Sequence, residues 1–340
     1  MTNFPFISLF TFILMFGTIF SISSSHWFSV WLGLELTLIG FVPIMVQKGK
    51  SGETESGVKY FLIQSISSVF LLFGVLIMSW NFCTWEMNFL DSMAKSTLIF
   101  FGLFMKLGAA PFHFWIPSVV AGLSWNSNLI LLTWQKITPL FMLSSFMNIH
   151  NFMLIFMLLA ATLIGGVGGI NQTSIRAILA YSSILHMGWI LTSTTISLSY
   201  CGVYFLLYSL IMIFISSSLN FEESMNNKNF SNVFLWNSYS RNFMSFFLLS
   251  LGGIPPLLGF FGKWMILLKL LSASNLIPAA ILVIGSMMTL YYYLTLSFSL
   301  ILTNQKTIST MHFSPSMIKS MGVTINLMGF LVLFSLNSFL

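Results

Sequence analysis

Four ionisable residues lie deep inside apolar stretches of this 340-residue chain: Glu35, Lys106, Lys136 and Lys263. At about 1.5 Å per helical residue, the first three lie roughly 14–17 Å from the starts of their stretches, which is near the middle of a bilayer. A lysine at that depth costs roughly 2.5–3.5 kcal/mol on insertion scales. Carboxylates and amines take up and release protons, so this pattern predicts a proton path through a membrane.

A structural interpretation of these charges competes with the functional one. A single Glu–Lys pair could serve only to hold helices together, and a lysine can extend its side chain toward the membrane surface. One carboxylate, however, cannot neutralise three lysines. A lysine kept away from water and near other cations also releases its proton more readily. We therefore favour a proton relay formed by these four residues.

Two histidines are additional relay candidates. His113 follows Pro111 closely, and His186 lies near the middle of its apolar stretch. Histidine changes its charge near physiological pH, so either residue could pass protons. A histidine that only packs and forms hydrogen bonds is a nearly equal alternative at both positions.

The composition excludes several classes of protein. Charged residues make up 6% of the chain and hydrophobic residues 57%, whereas soluble domains carry about 25% charge. The formal net charge of +6 is too dispersed for a nucleic-acid-binding surface. Cys83 and Cys201 are the only cysteines and lack metal-ligand spacing, so we expect neither a metal nor an Fe–S site.

The hydropathy pattern predicts an all-α polytopic membrane protein, with residues 1–340 forming a single transmembrane domain. A span needs about 20 apolar residues. Lysine and arginine concentrate in the even-numbered loops, which places the N-terminus on the positive-inside face and the C-terminus on the opposite face. The eleven predicted spans are 4–22, 26–46, 59–80, 95–115, 125–147, 151–170, 174–195, 201–220, 241–271, 276–301 and 320–338.

Two of the predicted spans contain helix breakers. The ninth stretch, 241–271, has 31 residues and would be about 46 Å long as a straight helix, against a hydrocarbon core of about 30 Å. The fourth and ninth spans cross in opposite directions, which is typical of an inverted repeat, here 1–147 and 151–301 followed by a helix at 320–338. The predicted breaks lie at Gly108 and Pro111, and at Gly252, Gly253, Pro255 and Pro256.

The charged and broken segments together resemble a known family. In chain order they read SHWFSVWLGLEL, MKLGAAPFHFW, LLTWQKITPL, INQTSIRAILAYSSILHMGW and LGGIPPLLGFFGKW. These segments, which spread from about residue 24 to residue 265, are similar to those of the chain 2 family of mitochondrial NADH–ubiquinone oxidoreductase, respiratory complex I.

The resemblance implies an antiporter-like subunit of the complex I membrane arm, with two inverted five-helix repeats and a final helix. By position, Glu35 and Lys106 match the family's Glu–Lys pair, Lys136 its central lysine, and Lys263 the lysine of the second broken helix. The resemblance also implies that this chain holds no cofactor, with NAD, FMN, Fe–S clusters and ubiquinone on other subunits. Its expected partners are the other membrane-arm subunits and the lipids of the mitochondrial inner membrane, including cardiolipin. No nucleic-acid partner is expected. The implied orientation places the N-terminus in the matrix and the C-terminus in the intermembrane space.

Two other functions stay open at the level of the sequence. One is an independent cation/proton antiporter, and the other is a structural scaffold of the membrane arm that lacks its own proton path. A quinone-binding subunit is disfavoured, because no sequence feature indicates a quinone site.

Overall fold

The computed structural model describes residues 4–82, 93–144, 151–225, 238–255, 257–302 and 322–327. Within these ranges the chain is helical and contains no strand. In chain order the helices are α1 (Phe4–Ser23), α2 (Trp27–Met45), α3 (Ser51–Phe82), α4 (Met93–Leu107), α5 (Trp115–Gly122), α6 (Trp125–Leu132), α7 (Trp134–Ser144), α8 (Asn151–Ile170), α9 (Ile175–Ile196), α10 (Leu198–Met225), α11 (Ser238–Gly252), α12 (Leu258–Ser272) and α13 (Leu276–Leu302).

The helices form a multi-pass membrane bundle, which confirms the predicted fold class. In the described part of the chain, six helices are individually long and apolar enough to cross a membrane, namely α1, α2, α3, α9, α10 and α13. Large apolar side chains such as Phe12, Ile19 and Val69 point outward and are 65–70% exposed, as expected for a surface in contact with lipid. The predicted final helix is described only at residues 322–327, and residues 328–338 lie outside the described part.

Helix α3 begins at Ser51, so the prediction of a polar connection at 47–58 was wrong for most of that segment. Charged side chains stabilise the additional turns. The Glu53 carboxylate accepts a hydrogen bond of 3.0 Å from the backbone N–H of Lys48, and Glu55 pairs with Lys59 at 2.6 Å across one helical turn. Hydropathy alone misses such a segment because the helix continues beyond its apolar part.

Three predicted spans are interrupted. The ninth breaks as predicted, between α11 and α12, although Pro256 lies outside the described residues. The fourth breaks after Leu107, but it then resumes as α5, a half-helix that the predicted boundary at residue 115 did not include. The prediction of one continuous helix at 125–147 was wrong, because α6 ends at Leu132 and α7 begins at Trp134.

The interruption between α6 and α7 lies at Thr133. At Thr133 the backbone departs from regular helix, and the threonine hydroxyl donates to the Leu129 carbonyl at 2.6 Å. Pro139, inside α7, has no N–H and leaves the carbonyl of Gln135 without its helical donor. Lys136 therefore lies between two irregularities.

Helix α9 occupies the centre of the bundle. It packs against α5 and α7 from the first half and against α8, α10, α12 and α13 from the second. Nearly all of its side chains between Ala177 and Thr194 are buried. A polar residue on α9 is thus shielded from lipid and lies between the two halves.

Candidate functional site

The first break presents a lysine at the end of a half-helix. Lys106 lies in the last turn of α4 and is 7% exposed. Gly108 follows with φ = +64°, and the Ala109 N–H bonds the Phe104 carbonyl at 3.2 Å, which is the Schellman arrangement. The side chain of Ile116 occupies the space where a Cβ on residue 108 would lie. This break therefore requires glycine and places a cation at the negative end of the α4 dipole.

The second break is built in the same way. Gly253 has φ = +85°, and the Ile254 N–H bonds the Leu249 carbonyl at 3.4 Å. The Lys263 ammonium reaches back from α12 and donates to the carbonyls of Leu251 at 3.3 Å and Gly252 at 2.8 Å. These carbonyls belong to the end of α11 and have no helical donor of their own.

The two breaks thus share an electrostatic design that the linear sequence conceals. Lys106 precedes its break in the sequence and Lys263 follows its break. In the structure, however, each lysine lies at the C-terminal end of a half-helix, α4 for Lys106 and α11 for the Lys263 ammonium. A cation near a helix C-terminus is stabilised by the helix dipole. Lys106 comes from the half-helix that ends, whereas Lys263 comes from the half-helix that begins.

Glu35 lies near Lys106 without direct pairing. The glutamate is half-buried on α2, and its charge acts on Lys106 of α4 and on Tyr60 of α3. The two side chains do not approach to salt-bridge distance in the described part of the chain. The backbone carbonyl of Lys106 accepts a 3.3 Å hydrogen bond from the Gln64 side chain, which links α3 to this end of α4.

Lys136 is the most isolated of the three lysines. It is 3% exposed on α7, and its Nζ has no hydrogen-bond partner. The ammonium lies 5.8 Å from the ring centre of Tyr208, on α10. Because an unpartnered buried cation is costly, this geometry suits a residue that changes its protonation state.

His186 is within electrostatic reach of both Lys136 and Lys263. It is 4% exposed on the central helix α9. Its Nδ1 is 2.9 Å from the Tyr204 hydroxyl, and its ring centre is 5.1 Å from that of Tyr208. Among the described residues, its Nε2 has no hydrogen-bond partner. One ring nitrogen of the histidine is therefore not engaged by the protein.

His113 has a different environment. Its Nδ1 lies 2.9 Å from the Pro111 carbonyl, and its ring contacts Phe114 with a centroid distance of 4.3 Å. The contacts that the structure shows for His113 are thus within its own break, and they fit the packing interpretation of this residue.

Sequence reasoning missed three buried tyrosines in this region. Tyr204 and Tyr208 lie one helical turn apart on α10, and Tyr293 of α13 is buried near them. The spacing of four residues between Tyr204 and Tyr208 was the available signal. Tyr204 bonds His186 through its hydroxyl, which can donate or accept, and the ring of Tyr208 packs beside the histidine.

The residues that the structure describes include no group of three or more His, Cys, Asp or Glu side chains that could hold a metal ion. What the buried groups can do chemically is bind and release protons.

Comparisons with known proteins agree with a proton-translocating membrane subunit. A family model described as the transmembrane region of NADH:quinone oxidoreductase/Mrp antiporter matches residues 24–289. NADH-ubiquinone oxidoreductase chain 2 of Anopheles gambiae is 41% identical over 301 residues, 87% of this chain and 86% of that protein. The protein of the same name from Locusta migratoria is 39% identical over 296 residues, 85% of this chain and 83% of that protein.

The chain belongs to the NADH-ubiquinone oxidoreductase chain 2 family. It is therefore an antiporter-like subunit of respiratory complex I that takes part in proton translocation. The fold agrees: a chain of respiratory complex I from Thermus thermophilus with bound Aureothin superposes with a TM-score of 0.82 at 21% identity, covering 96% of this chain and 78% of that one. The predicted family is thus confirmed.

For this chain 2 family member we expect Gly253→Ala to destabilise the second break by about 1–2 kcal/mol, because a residue with a side chain is strained at positive φ. The new methyl group would also lie 2.9 Å from the Lys263 ammonium and displace it. The measurement is the thermal stability of the purified complex together with its NADH-driven proton pumping.

Gly252→Ala is the matched control, since a methyl group there meets its nearest neighbour at an ordinary 3.7 Å. Equal stability and pumping of the two variants would contradict this account of the break.

Proposed function

We propose that Glu35, Lys106, Lys136, His186 and Lys263 form one proton relay across the middle of the bundle. The observation that carries the proposal is the position of His186, within the fields of both Lys136 and Lys263. Without a group at this position the central lysine and the lysine of the second break would be separate sites. With it, a proton gained or lost at one lysine changes the proton affinity of the next.

The energies are of a suitable size. Moving a proton against a membrane potential of about 150 mV costs roughly 3.5 kcal/mol. A tenfold change in proton affinity corresponds to about 1.4 kcal/mol, so two to three tenfold changes are enough. Neighbouring charges in a buried site produce changes of this size.

The first half of the relay contains a gap that water would bridge. Helices α4 and α7 pack together, but no hydrogen bond joins Lys106 to the Lys136 ammonium in the described residues. Within the same part of the chain, the side-chain nitrogens of Gln135 and Lys136 are both buried without hydrogen-bond partners. Buried polar groups in proteins are usually bonded to each other or to ordered water, so we propose water between these lysines.

We place the chain in the mitochondrial inner membrane, with its N-terminus in the matrix and its C-terminus in the intermembrane space. The excess of lysine and arginine in the even-numbered loops supports this orientation.

We further propose that the other membrane-arm subunits and the bilayer, including cardiolipin, are its partners, with no role for nucleic acid. NAD, FMN, Fe–S clusters and ubiquinone then belong to other subunits, and residues 1–147 and 151–301 act as the two repeats of a single transmembrane domain.

The relay is tested at His186. We expect His186→Phe to lower proton translocation about tenfold or more, because positioned acid–base groups contribute roughly 10²–10⁴-fold to proton transfer. The measurement is the initial rate of NADH-driven proton translocation by the assembled complex in liposomes.

Thr192→Val, on the same helix, is the matched control, because the Thr192 hydroxyl bonds only carbonyls of its own helix, at 2.8 and 3.2 Å. Unchanged pumping by an assembled His186→Phe complex would exclude this residue from the relay. Normal pumping after all three buried lysines are neutralised would favour the scaffold function instead.

A further inference from the structure

A cleft opens at the second break, on the outer side of Lys263. It has a volume of about 340 Å³ and lies between α12 and α13, with Trp189 of α9 behind it. Its inner end is formed by Gly252, Gly253 and Lys263, which are the residues of the break. The volume is at the lower end of the range of small-molecule sites.

The walls of this cleft are apolar and continue to the lipid-facing surface. Trp264, Leu271 and Met287 line it and are 39%, 52% and 62% exposed. Leu267 and Leu290 complete the walls. The cleft is therefore open toward the hydrocarbon part of the membrane, and its occupant must enter from lipid.

The polar groups at the inner end are hydrogen-bond donors. The Lys263 ammonium has three N–H groups, of which two reach Leu251 and Gly252 carbonyls. The indole N–H of Trp189 is buried and has no hydrogen-bond partner among the described residues. The described residues that line the cleft include no carboxylate, and the Ser286 hydroxyl already donates to the Val283 carbonyl at 2.8 Å. An occupant that supplies an acceptor therefore fits, and a negative charge is the complement of the lysine.

We propose that this cleft binds a single-chain amphipathic carboxylate, that is, a long-chain fatty acid taken from the bilayer. The carboxylate accepts a hydrogen bond from Lys263, and the alkyl chain lies between α12 and α13 toward the lipid. A charged acceptor and a charged donor form the stronger class of hydrogen bond, and the apolar walls add the burial of the chain.

Depth and volume favour a fatty acid over a phospholipid. Lys263 lies nine residues, or about 14 Å, before the end of α12 at Ser272, and its ammonium reaches back to Gly252 at the break, whereas phosphates lie at the membrane surface. A fatty acid reaches this depth because its carboxyl group can enter hydrocarbon in the neutral, protonated form. At the cleft the carboxyl proton passes to the neutral amine of Lys263, which gives the carboxylate–ammonium pair. A cleft of about 340 Å³ also has room for part of one chain but not for two chains and a headgroup.

The binding proposal stands without the relay, but its consequence rests on the proposed function. A carboxylate paired with Lys263 keeps that lysine protonated, and a lysine held in one protonation state cannot pass a proton. Fatty acids would then inhibit proton translocation by occupying the last group of the relay.

The experiment uses the assembled complex and a C16 fatty acid that carries a diazirine in its chain and a terminal alkyne. After irradiation, labelled peptides are located by mass spectrometry. We expect labelling within α12 and α13, competed by palmitate but not by hexadecanol, which has the same chain without the carboxylate. Lys263→Gln should reduce the labelling about tenfold or more, because a charge-assisted hydrogen bond is lost.

Lys269→Gln is the matched control, since Lys269 is on the same helix and does not line the cleft. A second variant, Met287→Trp, fills the cleft and leaves the lysine intact, so it should also abolish labelling. It tests the proposal even if Lys263→Gln fails to assemble. Ile301→Trp, also exposed on α13 but away from the cleft, should label normally.

Several outcomes would overturn the proposal. Equal competition by hexadecanol, or full labelling of Lys263→Gln, would show an apolar surface without recognition of the carboxylate. Labelling by a phosphatidylcholine photoprobe instead would assign the cleft to phospholipid, and no labelling by either probe would show that a neighbouring subunit covers it. Normal labelling with unchanged proton pumping would support the binding site while refuting the relay at Lys263.

Discussion

Complexes that carry Lys136→Met are expected to assemble, yet to translocate protons at least about tenfold more slowly. The reason is that the loss of a positioned acid–base group slows proton transfer by at least that factor. Methionine keeps most of the length and apolar volume of the lysine stem. The helix packing around this position should therefore persist, whereas the titratable amine of α7 is removed. The measurement is the initial rate of NADH-driven proton translocation by the complex in liposomes.

The control for this variant is Gln135→Leu, which removes the neighbouring polar side chain and leaves the lysine. We expect Gln135→Leu to retain much of the pumping, because an amide does not titrate and water can bond Lys136 directly. Native gels establish assembly for both variants. Full coupled pumping by an assembled Lys136→Met complex would exclude Lys136 from the proton path.

The second large effect is expected for Lys263→Met, because this lysine has two roles. Its loss removes the last titratable group of the proposed relay, and it leaves the carbonyls of Leu251 and Gly252 without their donor. An unsatisfied buried acceptor costs about 1–3 kcal/mol, so the variant should lose both pumping and thermal stability. Lys136→Met should lose pumping with a smaller loss of stability, since its Nζ has no partner to abandon.

Lys269→Met provides the matched comparison for Lys263→Met. Lys269 lies in the last turn of the same helix, with its ammonium 5.9 Å from the ring centre of Tyr200. We expect near-normal pumping and stability, because an exposed cation–π contact contributes only about 0.5–1 kcal/mol. Similar losses in Lys263→Met and Lys269→Met would mean that the position on the broken helix has no special role.

Much of the site follows from the sequence because each signal is local. The charges of Glu35, Lys106, Lys136 and Lys263 stand out against apolar neighbours, and the breaks stand out because glycine and proline cannot continue a helix. The quoted segments also led to the family, which the comparisons confirmed. Apolar length places most spans, since a bilayer imposes nearly the same requirement on every crossing helix.

The errors came where packing between helices decides the conformation. Thr133 marks the end of α6, yet its hydroxyl bond to the previous turn is also formed by Thr192 inside the unbroken helix α9, so the residue type alone does not predict a break. Half-helix α5 is short and follows a proline, so hydropathy gave no reason to extend the fourth span to Gly122. The first turns of α3 are polar and depend on side-chain bonds of Glu53 and Glu55.

The sequence by itself determined which residues are titratable and where the breaks at Gly108 and Gly253 fall, because both depend on the order of residues along one chain. Only the tertiary structure decided that Lys263 bonds the end of α11, that His186 bonds Tyr204, and that the ring of Tyr208 packs beside it. These relations depend on how far apart different helices are and how each is rotated. Side-chain packing sets both quantities, and neither is encoded in the hydropathy of any single helix.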